Sequence, residues 1–229
     1  MDISKSSSKS LGRTRTRRWE DDLSRAQSAP GIEQKLREFL NGKKKAAASV
    51  SSTLVRFQKW TMSLETEADT PSQRIPAKGS AEDKDSDAIE RVAESLIEDV
   101  SGIDRRLLSK SLQETLIHCS GFAVDLTQNE LSKRVRQFLK RESSAFMMRR
   151  FLSSYFFNFI WFQTGESFRT RAWTTAEFEN DMESVEAHCD KIVAETWQSC
   201  EWTRGPLDVA AARQLTRTLE KRLYSKPSE

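Results

Sequence analysis

Glycine and proline are scarce in this chain, 8 and 5 among 229 residues. An all-β protein needs frequent turns and normally carries more of both, so the scarcity favours helix before any periodicity is read. Cysteine is also scarce. Three, an odd number, do not make the disulfide framework of a small secreted domain. No apolar segment follows the basic N-terminal residues, so no secretory signal is expected and a reducing, cytoplasmic setting is the default. The longest apolar run, within Phe151–Phe162, is about a dozen residues, short of the roughly 20 a spanning helix needs. No integral membrane span is expected.

Histidine is rarer still. His118 and His188 each directly precede a cysteine, Cys119 and Cys189. That pattern suggests a metal site or a Cys–His nucleophile, but the geometry argues against both. Neighbouring helical residues point about 100° apart, so one dipeptide does not readily give two ligands to one ion. Cys189 and Cys200 are separated by eleven positions, about 16 Å along a straight helix. No metal and no cofactor is expected. The phosphate loop GxxxxGK[ST], GxGxxG, HExxH, CxxC and GxSxG are all missing, so no reaction class is indicated and no catalytic residue is assigned.

What the chain does have is charge, and it is unevenly placed. Residues 1–64 hold 14 Lys/Arg and 6 Asp/Glu, residues 65–104 hold 4 and 12, residues 105–150 hold 10 and 4, and residues 151–229 hold 9 and 12. Two basic blocks separated by an acidic one suggest polyanion binding, self-association or masking of one block by another. The plainer reading is a set of solvated helix faces.

Residues 1–19 are Ser-, Lys- and Arg-rich and read as a disordered basic tail. Its Arg13, Arg15, Arg17 and Arg18, followed by Trp19, have the chemistry of phosphate contact and base stacking. Residues 20–64 read as a helical hairpin, with Ile32, Leu36, Phe39 and Leu40 on one face and Val50, Leu54, Phe57, Thr61 and Leu64 on the other helix. Residues 65–86 are acidic, contain two Pro and show no period, which makes them a linker. Residues 87–224 then read as a helical bundle, with 225–229 a polar tail.

Within the bundle, Asp87 and Glu90 open a stripe of Ile89, Val92, Ala93, Leu96, Ile97 and Val100, expected to stop at Gly102. Asp104 is expected to cap the next helix, carrying Leu107, Leu108, Leu112, Leu116 and Cys119 and stopped by Gly121. Thr127 with Glu130, and Thr174 with Glu177, have the spacing of capping boxes. The first opens a helix whose polar face holds Lys133, Arg134, Arg136, Lys140 and Arg141, a second candidate nucleic-acid contact. The second opens a seam of Phe178, Met182, Val185, Cys189 and Ile192. A last helix after Gly205-Pro206 carries Val209, Ala212, Leu215, Leu219 and Leu223.

Between the two boxes lies the most aromatic segment of the chain. Phe151–Phe162 contains five of the twelve Phe and one of the six Trp. A helix apolar on nearly every side is the central one of a bundle. This one is expected to be capped by Ser143 or Ser144 and to run to about Arg171, with Gly165 as a kink or break. Ser153, Ser154 and Asn158 give it only a thin polar face, too thin for an interfacial membrane helix. Its polar ending, Gln163, Glu166, Arg169 and Arg171, is a candidate polar site, or more simply an ion-paired helix end.

The fold expected is therefore all-α: about six helices around a central aromatic-rich helix, with an N-terminal hairpin and a basic tail. The function expected is that of a non-catalytic interaction or accessory subunit of a larger protein or nucleoprotein assembly. Its partners would be proteins and, through the basic surfaces, nucleic acid; the oligomeric state is open. The alternatives are an enzyme or effector of an unfamiliar helical class, using Glu166, Arg169 and His188, and a membrane-surface protein.

Overall fold

The structure is a computed structural model. It describes Leu36 and residues 49–66, 88–123, 126–172, 174–200 and 205–224. The expected basic tail, most of the first hairpin helix, the linker from residue 67 and the C-terminal tail lie outside these residues. Seven helices and no strand occur among the described residues: α1 (Ser49–Thr66), α2 (Ala88–Leu96), α3 (Gly102–Cys119), α4 (Gln128–Leu139), α5 (Ser144–Arg171), α6 (Thr175–Ser199) and α7 (Val209–Tyr224). The chain is all-α, as its poverty in turn residues implies.

Each helix buries one face. In α1 that face is Val50, Leu54, Phe57, Thr61 and Leu64; in α3 it is Leu107, Leu108, Leu112, Leu116 and Cys119. The exception is α5, where Phe151, Leu152, Ser153, Tyr155, Phe156, Asn158, Phe159 and Ile160 are all buried. It is covered by α3, α6 and α1. Fully burying an aliphatic or Phe side chain is worth roughly 1.5–3 kcal/mol, so this one segment supplies much of the hydrophobic driving force. α1 also packs against α7, α2 packs on α3 and α4, and α7 closes against α6. α1 is tied to the α7 region by polar contacts too. Gln58 accepts from the Leu207 N–H at 2.6 Å and donates to the Gly205 carbonyl at 3.2 Å, while Ser51 and Thr216 share a hydrogen bond of 3.3 Å.

The helix ends follow local chemistry. Thr127/Glu130 and Thr174/Glu177 each form both reciprocal bonds of a capping box. Ser143 caps α5 by accepting from the Phe146 N–H at 3.3 Å. α3 ends in a Schellman motif: Phe122 N–H donates to the Ile117 carbonyl, Gly121 N–H to that of His118, and Gly121 takes a φ of 76°.

Two expectations about glycine need correction. Gly102 does not stop α2, which ends at Leu96 and is followed by a turn in which Val100 N–H reaches the Ile97 carbonyl. Gly102 instead opens α3 with a φ of 67°, a left-handed conformation that reverses the chain between the two helices. Ser101 is the cap position of α3, and Asp104 sits in the first turn, where its charge complements the helix dipole. Gly165 does not interrupt α5, which runs unbroken over 28 residues. The indole of Trp161 lies over the space a side chain at 165 would occupy.

Candidate functional site

The thin polar face of α5 turns out to organise the most polar part of the interior. Arg150, Ser153, Ser154 and Asn158 are spaced i, i+3, i+4 and i+8, so they line one side of the helix. α3 presents Ser111, Glu114 and His118 to that side, and α6 presents Glu186 and Asp190. Asn158 Nδ2 donates to Glu114 Oε2 at 3.0 Å and to Ser111 Oγ at 3.1 Å. Ser154 Oγ also donates to Glu114, and Ser153 Oγ donates to Asp190. Arg150 lies 3.8 Å from both Glu186 and Asp190. Asn158 Oδ1 is enclosed and has no hydrogen-bond partner.

Glu114, Arg150, Ser153, Ser154, Glu186 and Asp190 bound a cavity of about 40 Å³ that also touches His118, Phe122 and Phe157. That is room for one or two waters. Three carboxylates face one guanidinium there, so the lining is net acidic. The two hydroxyls are committed to carboxylates as donors. His118 is held in an aromatic setting, stacked on Phe146 at 6.2 Å and edge-on to Phe122 at 5.6 Å. Among the described residues no group of three or more His, Cys, Asp or Glu is disposed to hold a metal ion. Burial pushes the Cys119 thiol up to about 12, with the nearby Arg150 charge opposing the shift. Cys189 is raised by burial and further by Asp190 and Glu186. Both are protonated at neutral pH and poor nucleophiles. The cluster links α3, α5 and α6 through these contacts.

The residues singled out from sequence are dispersed. Glu166 and Arg169 pair at 3.0 Å in open solvent, their side chains 75% and 70% exposed. Gln163 is half-buried, and the Arg171 side chain lies outside the described set. His188 is buried on α6 and does not line the cavity. The structure thus does not bring Glu166, Arg169 and His188 into one pocket. On α4 and the turn that follows it, Lys133, Arg134, Lys140 and Arg141 are exposed and Arg136 is half-buried. Arg134 also donates to the Ser120 carbonyl at 3.1 Å, which docks α4 onto the end of α3. Arg13, Arg15, Arg17 and Arg18 lie outside the described residues.

A feature the sequence reading missed is an exposed aromatic pair on one face of α5, between buried Ile160 and buried Thr164. Trp161 is 40% exposed and Phe162 51%. Trp161 packs 5.4 Å from Phe178 of α6 and 6.5 Å from Phe157, and Phe157 borders the polar cavity together with Phe122, itself 41% exposed. An aromatic ridge therefore runs beside the acidic cleft. α6 flanks it with Glu179, Glu183 and Glu186 at i, i+4 and i+7. No protein-family model, no curated protein and no solved structure matches the chain.

Proposed function

We propose that this chain is a non-catalytic helical subunit of a larger protein or nucleoprotein assembly, working in the cytoplasm. Its scaffold is a bundle of about six helices around α5, with the N-terminal hairpin docked on it. The observation that carries the reading is the exposed aromatic surface of Trp161 and Phe162. Large aromatics half out of water, rimmed by charge, have the make-up of a protein-binding hot spot. The charge supports a protein partner over a membrane, because the acidic α6 flank would repel anionic headgroups. The exposed cations of α4 add a face suited to nucleic acid or an acidic partner.

The test is recovery of the tagged full chain from cells that make it, beside a Trp161→Ser/Phe162→Ser form with unchanged melting temperature. A stoichiometric partner retained by the first and lost by the second is expected. Equal recovery with both would remove the assignment. For the α4 face, nucleic-acid affinity should fall with salt and weaken on replacing Lys133, Lys140 and Arg141; a flat salt response would remove the nucleic-acid part.

A further inference from the structure

The charged faces of α4 and α6 match each other in spacing as well as in sign. Lys133 on α4 and Lys140, its C-terminal cap residue, are both exposed and seven residues apart, two helical turns or about 10.5 Å. On α6, Glu179 and Glu186 are also seven apart; Glu179 and Glu183 are exposed, and Glu186 is half-buried with Arg150 3.8 Å away. Within one chain these faces are carried by helices with different neighbours. α4 packs on α1, α2 and α3, and α6 packs on α5 and α7.

Exposed charge pairs alone hold helices together weakly, so a specific contact needs an apolar anchor beside them. The α6 face has one. Trp161 touches Phe178, the residue immediately before Glu179, and both Trp161 and Phe162 are open to solvent. The α4 face ends in Arg141, adjacent to Lys140, and a guanidinium is the cation that stacks best on an exposed indole. With the two helices antiparallel, Lys133 meets Glu186, Lys140 meets Glu179, and Arg141 comes to Trp161.

We infer that the aromatic–acidic face formed by α6 and by Trp161 and Phe162 of α5 binds the basic face of α4 on a second copy of this chain. This deepens the interaction-subunit reading and rests on it: the first partner of the surface is the chain itself.

The experiment is sedimentation velocity on the nuclease-treated full chain over a wide concentration range, at about 0.02 M and about 0.5 M salt, where screening lengths differ several-fold. Wild type should associate with rising concentration at low salt and return to monomer at high salt. Lys133→Glu/Lys140→Glu and Glu179→Lys/Glu183→Lys should each weaken association by at least about tenfold, because like charges then face each other. All four positions are exposed, and thermal melts check that both forms fold. An equimolar mixture of the two forms should recover association, since the reversed faces are again complementary. A wild type that stays monomeric at low salt, association unchanged in either form, or a mixture that does not recover would each overturn the inference. If the chain stays monomeric yet a different protein is lost on Trp161→Ser/Phe162→Ser, self-association fails while the interaction-subunit reading stands.

Discussion

Phe57 offers the sharpest test of how this fold is held together. It lies on α1, on the N-terminal side of the acidic segment, and is fully buried. Its ring meets that of Phe151 on α5 edge-on, centroids 5.7 Å apart, and stacks on Trp60 at 6.0 Å. Replacing a buried Phe by Ala costs about 3–5 kcal/mol, from lost transfer energy and the cavity left behind. Of that, the edge-on pair with Phe151 accounts for about 0.5–1.5 kcal/mol. Against a typical total stability of roughly 5–15 kcal/mol, the loss is large. At a urea dependence of about 2 kcal/mol per M, Phe57→Ala should lower the unfolding midpoint by roughly 1.5–2.5 M. Circular dichroism and tryptophan fluorescence should report the same single transition. A double-mutant cycle with Phe151→Ala should return a coupling of about 0.5–1.5 kcal/mol. If the main transition does not move, and only a small early one is affected, α1 does not share a core with α5 and the reasoning fails.

Other outcomes follow from the interior. Asn158→Ala removes two hydrogen bonds, to Glu114 and Ser111, and should cost about 1–3 kcal/mol in urea titrations, at about 0.5–1.5 kcal/mol each, while Ser154 still donates to Glu114. Gly165→Ala should stabilise by roughly 0.5–1 kcal/mol, since α5 is continuous there and the added methyl would make an ordinary contact with Trp161; a drop in melting temperature would contradict the unbroken helix. The buried thiols should resist an aromatic disulfide reagent near pH 8 until urea is added. Cys119 keeps its proton in the fold up to about 12, against an ordinary 9.0, so the unfolded chain releases a proton first and stability should fall as pH rises from 9 toward 12. A flat stability across that window would contradict the burial.

What could be read from the sequence was local. The boxes at Thr127/Glu130 and Thr174/Glu177 were legible because a cap needs only residues three apart. The α3 stripe was legible because burial of one face imposes the helical period. Gly102 was misplaced because a glycine between two stripes serves equally as a stop for the first or a left-handed start for the second. The polar seam was out of reach for a different reason. Ser154 and Asn158 look incidental until Glu114, some forty residues earlier, is placed beside them. The exposure of Trp161 and Phe162 was hidden by composition: an aromatic segment reads as core along its whole length, and only the fold shows which face of α5 its neighbours leave uncovered.

The central claim, that the exposed Trp161–Phe162 face of α5 is a binding surface, is tested most directly by a photo-crosslinking residue placed at Phe162 and, as a control, at exposed Lys221 on α7. The account predicts one discrete adduct from position 162, none from 221, and an adduct mass of two copies of the chain. Adducts of equal yield from both positions, or none from 162, would contradict it.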